Sequence, residues 1–224
     1  MNKKEKLEEL RESCIKETNC PLSKNANNIV FGEGNCDADI MFIGEAPGAK
    51  EDITGRPFVG SAGKNLDKFL SHISVRREEI YIANIEKFRP PNNRNPTSNE
   101  IKACTPWLIE QIWIIEPKVL CTLGNFSTKY VLADFNVDKM KEIDGISSLH
   151  GKIHKVRLDH HEFTVIPLYH PAALIYNRKL IPEMYKDLET VAKIIGKNIV
   201  REHEYMQEHT EHEKKERTRK LSEF

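Results

Sequence analysis

Apolar positions along this chain fall into short clusters separated by polar and breaker-rich stretches. Ile40 to Ile43 is an unbroken apolar run stopped by Gly44, the pattern of a buried strand. Ile80 to Ala83, ending at Asn84, and Val119 to Leu123, ending at Gly124, repeat it. Ile153 to Leu158 and Phe163 to Leu168 predict further strands. Between these runs the apolar spacing turns helical. Leu7 and Leu10 face inward from a helix over Lys3 to Ser13, and Leu66, Phe69 and Leu70 mark another after Gly63. Thr97-x-x-Glu100 is a capping box that opens a helix running to about Ile115, before Pro117. Pro182 sits in the first turn of a last helix. Cys14 to Gly34, Lys87 to Thr97 and His170 to Asn177 read as irregular or loop. Strands that alternate with helices predict an α/β fold with a largely parallel sheet.

The segment between the first strand and its helix is unusual. Gly44 to Gly63 reads G-E-A-P-G-A-K-E-D-I-T-G-R-P-F-V-G-S-A-G. Breakers at this density predict a long loop, and long loops in compact domains usually carry function. It lies beyond the carboxyl end of a strand, where α/β folds bind ligands. Its glycines let backbone amides approach a ligand, and Phe58 offers a flat apolar face. Ser61 and the amides near Gly63 fall at a helix N-terminus, a natural phosphate seat. Neither G-K-[ST] nor G-x-G-x-x-G occurs here, which disfavours a mononucleotide P-loop or a dinucleotide fold.

Composition narrows the class further. A chain of 224 residues with 39% hydrophobic content supports one domain, assigned to residues 1–196. Residues 197–224 are almost free of apolar side chains and read as a charged helical or disordered tail. No apolar run is long enough to span a membrane, and the N-terminus is too charged for a secretory signal, which points to the cytoplasm. Formal net charge is zero, so nucleic-acid binding would need a local basic face. The five cysteines, an odd number in a chain without a signal, favour metal binding or free thiols over a disulfide framework. Read on their own, Cys104 and Cys121 are two ordinary buried thiols.

The loop closely resembles motif A of the family 4 uracil-DNA glycosylases, G-E-A-P-G followed by E-D-x-x-G-x-P-F-V-G-x-A-G. His170 opens H-P-A-A-L-I, similar to the H-P-x-x-L segment of that superfamily. The likeness runs from Cys20 to Leu188. It implies a three-layer α/β/α sandwich around a mostly parallel four-stranded sheet. It also implies a monofunctional enzyme, acting as a monomer, that excises uracil from single- or double-stranded DNA to start base-excision repair. A catalytically silent iron–sulfur redox or DNA-sensing protein is the alternative on the same fold.

The resemblance also assigns residues. Phe58 stacks on a flipped uracil and Asn84 reads its edge, with Glu45 and Ala46 lining the pocket. His170 stabilises the charge that develops on the leaving base. Well-known superfamily members carry an aspartate general base at the position of Ala46, which leaves Glu45 as the nearest carboxylate for water activation. Gly60, Ser61, Arg89 and Arg94 are the expected backbone contacts, and Leu174 the expected wedge. The family holds a structural 4Fe–4S cluster on four cysteines, matched here to Cys14, Cys20, Cys104 and Cys121. The first pair departs from the usual C-x-x-C, which would place a cysteine at Glu17, and Cys36 competes with Cys14. Zinc on the same thiolates is the chemical alternative.

Overall fold

The computed structural model describes residues 1–199. The tail assigned to residues 197–224 therefore lies almost wholly outside the described residues. One six-stranded sheet runs through the molecule in the order β1-β3-β2-β4-β6-β5. Four neighbouring strands are mutually parallel: β3 (Tyr81–Asn84), β2 (Ile40–Gly44), β4 (Val119–Leu123) and β6 (His161–Leu168). Each edge adds an antiparallel strand, β1 (Glu33–Gly34) against β3 and β5 (His154–Leu158) against β6. The expected count of four is thus corrected to six. Two-residue β1 is too short to show any alternation. β5 returns into β6 through a tight hairpin, so it cannot run parallel.

Alternation along the parallel strands explains their unbroken apolar character, because both faces are covered. Phe42, Ile82, Cys121, Leu123, Ile166 and Leu168 point to one face. There they meet Leu66, Phe69 and Leu70 of α3 (Ser61–His72) and Met184, Leu188 and Val191 of α8 (Ile181–Ile195). Met41, Ile43, Ala83, Leu120 and Val165 point to the other. That face is covered by Leu7 of α1 (Lys3–Glu17), by Leu108 and Ile112 of α4 (Ser98–Ile115), and by Tyr130 and Val131 of α5 (Asn125–Leu132). The Thr97 capping box closes the start of α4, with Glu100 accepting the Thr97 N–H at 2.8 Å.

Two expected loops contain short helices. α2 (Ala49–Thr54) interrupts the glycine-rich segment and ends on left-handed Gly55. α6 (Ile146–Leu149) precedes the edge hairpin, and α7 (Ala173–Tyr176) forms a single turn after His170. Both α2 and α7 are too short to leave a periodic signature in sequence. Parallel pairing brings Gly44, Asn84, Gly124 and the chain leading to His170 to one edge of the sheet.

Candidate active site and metal centre

Gly44 is the hub of this edge. A Cβ placed there would lie 2.3 Å from Asn84 Oδ1 and 2.8 Å from the Phe58 ring, so only glycine lets the two side chains converge. Asn84 ends β3, is 1% exposed, and its Oδ1 has no hydrogen-bond partner. A buried amide oxygen left unsatisfied costs about 1–3 kcal/mol, which marks this atom as a site waiting for a donor. Phe58 is buried with a φ of 51°. A bulky residue in that left-handed region is strained, and its surroundings must hold it there. Gly63 is part of that hold, because a Cβ at this position would lie 1.7 Å from the Phe58 carbonyl oxygen. The F-V-G-x-A-G spacing is thus a requirement of one backbone approach.

The His170 ring lies 5.8 Å from the Phe58 ring, centroid to centroid, and is tilted 34°. The Ala172 N–H donates to His170 Nδ1 at 3.2 Å. Nδ1 is therefore the acceptor nitrogen, and a neutral ring carries its proton on Nε2. Burial lowers the His170 pKa, only partly offset by the charge of Glu51, so the neutral form is favoured. Glu45, next to the hub, is half-buried, and burial raises its carboxyl pKa. Ala46 beside it is also half-buried.

Two of the three acids of the loop, Glu51 and Asp52, are structural. Glu51 Oε1 accepts the Val59 and Gly60 N–H groups at 2.9 and 2.8 Å. Asp52, 3% exposed, accepts the Asn27 N–H at 2.9 Å, and its own carbonyl accepts from the Asn28 amide at 2.8 Å. The Gly60 amide expected to meet a phosphate is therefore already occupied by this chain's own carboxylate. Ser61, at the start of α3, is exposed.

The other expected DNA contacts are placed differently from one another. Arg94 is held in a two-pronged ion pair by Glu100, at 2.7 and 2.8 Å. Arg89 donates to Asn93 Oδ1 at 2.9 Å. Leu174 is 2% exposed and packs into the core beneath α7, so the structure does not present it as a wedge. The reason is the single turn of α7, which rolls Leu174 inward while Ile175 is 43% and Tyr176 90% exposed.

A second cluster of chemistry lies behind the pocket. Cys20 Sγ, Cys104 Sγ and a carboxylate oxygen of Glu86 lie within 4.8 Å of one another, all buried. Cys14 lies near the end of α1, which runs past the expected end at Ser13 to Glu17, and is not one of the three groups brought together. It is fully buried and senses the charges of Cys20 and Lys87. A hydrogen bond with the Cys104 thiol pulls Cys20 down to about 7. Burial pushes Glu86 up to about 8 and Lys87 down to about 8. Phe88 packs beside Cys20 and Cys104. Two soft thiols with a buried carboxylate could hold a single metal ion, but they are not the four thiolates expected for a 4Fe–4S cluster.

Cys121 is not brought to this group. It sits on β4 and points into the core beneath α3 and α8, whereas Cys104 is on α4, across the sheet. Assigning it as a ligand from its distance to Cys104 in sequence is corrected here: strand alternation turns it to the opposite face. Cys36 is half-buried, packs against the other core with its thiol toward Asp37, and also lies outside the group. Glu86 and Lys87 were missed in sequence, where E-K before a proline-rich stretch reads as solvated loop. The hint was their position directly after a buried strand end.

Comparison with known proteins gives the family. Residues 31–193 match the family model of the uracil DNA glycosylase superfamily. A type-4 uracil-DNA glycosylase of Archaeoglobus fulgidus is 42% identical over 185 residues, covering 83% of this chain and 89% of the relative. The Sulfurisphaera tokodaii type-4 enzyme is 44% identical over 191 residues, 83% of this chain and 84% of that one. The Thermotoga maritima type-4 enzyme is 41% identical over 198 residues, 87% and 97% of the two chains. With identities at this level over most of both lengths, the chain belongs to the uracil-DNA glycosylase superfamily and, within it, to the type-4 uracil-DNA glycosylases.

Proposed function

We propose that this protein hydrolyses the N-glycosidic bond of uracil in DNA, single- or double-stranded, as a monofunctional glycosylase that starts base-excision repair. The observation that carries the reading is the unpartnered, buried Asn84 Oδ1 facing the Phe58 ring across Gly44. An extruded pyrimidine stacks on Phe58 and donates its N3–H to that oxygen, while the Asn84 amide donates to O4. Cytosine fails the same test, because its N3 is an acceptor and its 4-position a donor.

When the C1′–N1 bond breaks, its electron pair goes to the base and collects on O2. His170 supports the charge by donating from Nε2, the nitrogen that the Ala172 contact leaves protonated. Water adds to C1′ and loses a proton. Glu45 orients that water, and its raised pKa suits it to receive the proton. Of the four cysteines expected to hold a 4Fe–4S cluster, only Cys20 and Cys104 are brought together, with Glu86 beside them, so the donor set does not fit a four-thiolate cluster and no step is routed through one.

The test is direct. Uracil-containing and uracil-free oligonucleotides are incubated with the protein and then treated with alkali. Strand breaks at uracil alone are expected, whereas intact strands in both would overturn the reading.

A further inference from the structure

The left-handed backbone of Phe58 needs a hold on both of its peptide planes. On the following side, Glu51 takes the Val59 and Gly60 N–H groups. On the preceding side, the buried Pro57 offers its carbonyl, which accepts from Arg77 Nη2 at 2.6 Å. That carbonyl shares a rigid plane with the Phe58 nitrogen, so holding it sets the plane from which the φ of 51° turns. Arg77 stands in the short turn before β3, and its side chain is 21% exposed. Two carboxylates hold its guanidinium. Nη1 donates to Asp67 Oδ1 of α3 at 3.0 Å, and Nη2 to Glu33 Oε1 of β1 at 3.3 Å. Glu33 also takes Arg56, through Nε at 2.8 Å and Nη2 at 3.2 Å. Arg56 and Pro57, the two residues that lead into Phe58, are therefore both tied to the β1 edge of the sheet.

Two features say what this network is for. Arg56 is 63% and Asp67 46% exposed, and ion pairs in that setting add little to stability. The two guanidinium groups are also matched by two carboxylates, which leaves no net charge for a phosphate. Direction is what the network supplies. A planar fork whose donors run to the loop, to α3 and to β1 has one orientation, which a single ammonium group would not have.

We propose that Arg77 is a positioning residue for uracil recognition: by holding the Pro57 carbonyl, it fixes the backbone that presents the Phe58 ring to the extruded base. This rests on the glycosylase reading above and names the residue outside the pocket on which its stacking face depends. Arg77 acts through Phe58 and makes no contact with the base.

The experiment compares the full-length protein with Arg77→Met, Phe58→Leu, the double variant and Asp67→Asn. Single-turnover excision is followed over a range of protein concentrations on single-stranded and duplex uracil DNA. Inhibition by free uracil and thermal unfolding are measured beside it. Arg77→Met keeps the length of the side chain and removes every donor. It should lose roughly 5- to 150-fold in excision efficiency, the range expected when a base loses its aromatic stack. The loss should be equal on single strands and duplexes, because the base reaches Phe58 in both, and free uracil should inhibit this variant less. In the Phe58→Leu background the same change should cost nothing further, because the effect passes through the ring. Asp67→Asn leaves the Pro57 bond in place and should excise uracil like the wild type. Both Arg77→Met and Asp67→Asn should melt near the wild-type temperature. If Arg77→Met does not fold, Arg77→Lys takes its place: it keeps one donor without the fork, and its smaller loss should also vanish in the Phe58→Leu background.

Full excision efficiency in Arg77→Met would overturn the positioning role and leave the glycosylase reading intact. So would a loss that persists undiminished beside Phe58→Leu, or an equal loss in Asp67→Asn. A defect confined to duplexes would make Arg77 a contact to the DNA backbone instead. A wild type that excises no uracil would overturn both readings.

Discussion

Leu174 and Tyr176 are two residues apart in the loop that follows His170, yet the structure gives them opposite environments. Leu174 is 2% exposed in the core and Tyr176 is 90% exposed. Truncating each to alanine should therefore separate stability from base extrusion. Leu174→Ala removes a buried side chain, which costs about 2–5 kcal/mol where the site cannot collapse. For a domain of this size, each kcal/mol lowers the melting temperature by about 2–4 °C. The expected fall is then on the order of 5–20 °C, with single- and double-stranded uracil affected alike at temperatures where the variant stays folded. Tyr176→Ala touches no core and should change stability by less than about 0.5 kcal/mol. If its ring fills the gap left by an extruded base, stacking is worth about 1–3 kcal/mol. That converts to roughly a 5- to 150-fold loss on duplex substrates. The loss should be greater at U·A than at U·G, because a mismatched base unstacks more easily, and single strands should be excised normally. The assay is single-turnover excision on the three substrates beside thermal unfolding of both variants. A stable Leu174→Ala protein with a duplex-only defect would refute the placement argument, and a Tyr176→Ala protein with full duplex activity would refute the wedge.

Other perturbations test the pocket and its frame. His170→Ala should slow excision by about 100- to 1000-fold on single and double strands equally, measured in single turnovers; a defect confined to duplexes would remove His170 from leaving-group stabilisation. Asn84→Asp should cut uracil excision sharply, because an acceptor replaces the donor to O4, and near-normal uracil turnover in this variant would remove Asn84 as the reader. Gly44→Ala drives a methyl group to within 2.3 Å of Asn84 Oδ1 and should abolish uracil binding while costing about 1–3 kcal/mol of stability; tight binding of uracil by this variant would contradict the close approach. Arg94, assisted by the Thr97 amide, holds Glu100 down to about 2, below its unfolded value of about 4.3. Its stabilisation is present above the unfolded pKa and is lost as pH falls from about 4.3 toward 2. Because Arg94 is 43% exposed, solvent screens much of that contribution. Urea unfolding should show Glu100→Gln weaker than wild type at pH 6 and the gap narrowing at pH 3; a gap independent of pH would rule out the ionic origin.

The parts of this molecule legible in sequence are those governed by local rules. Strand ends at Gly44, Asn84 and Leu123 were marked by where apolar runs stop, and α4 by its capping box. The glycine-rich stretch could be placed beyond a strand because breakers at that density forbid a regular element. The short helices α2 and α7 and the two-residue β1 escaped notice because fewer than two turns, or two strand residues, leave no period to count. Facing was the harder problem. V-L-C-T-L is apolar throughout because both sides of β4 are buried, so its sequence does not say which face Cys121 joins. Leu174 failed for a related reason: a single helical turn has an inside and an outside, but too few residues to reveal them.

Glu86 and Lys87 illustrate a deeper limit. Charged residues before a proline-rich loop are solvated far more often than not, so local reasoning places them outside. Here the pairing of β2 with β3 continues past the sheet, with the Ile85 N–H donating to the Gly44 carbonyl and the Glu86 N–H to the Glu45 carbonyl, both at 3.0 Å. That extension buries every residue from Asn84 to Phe88. One short run of backbone thus carries Asn84, the proposed uracil reader, at one end and the buried Glu86 carboxyl group near the other, with Lys87 bonded to the Asn84 carbonyl. The Asn84 amide oxygen is buried and unsatisfied at the start of that run, and the Lys87 bond to the Asn84 carbonyl, together with the Glu86 N–H bond to the Glu45 carbonyl, fixes the backbone that holds it there.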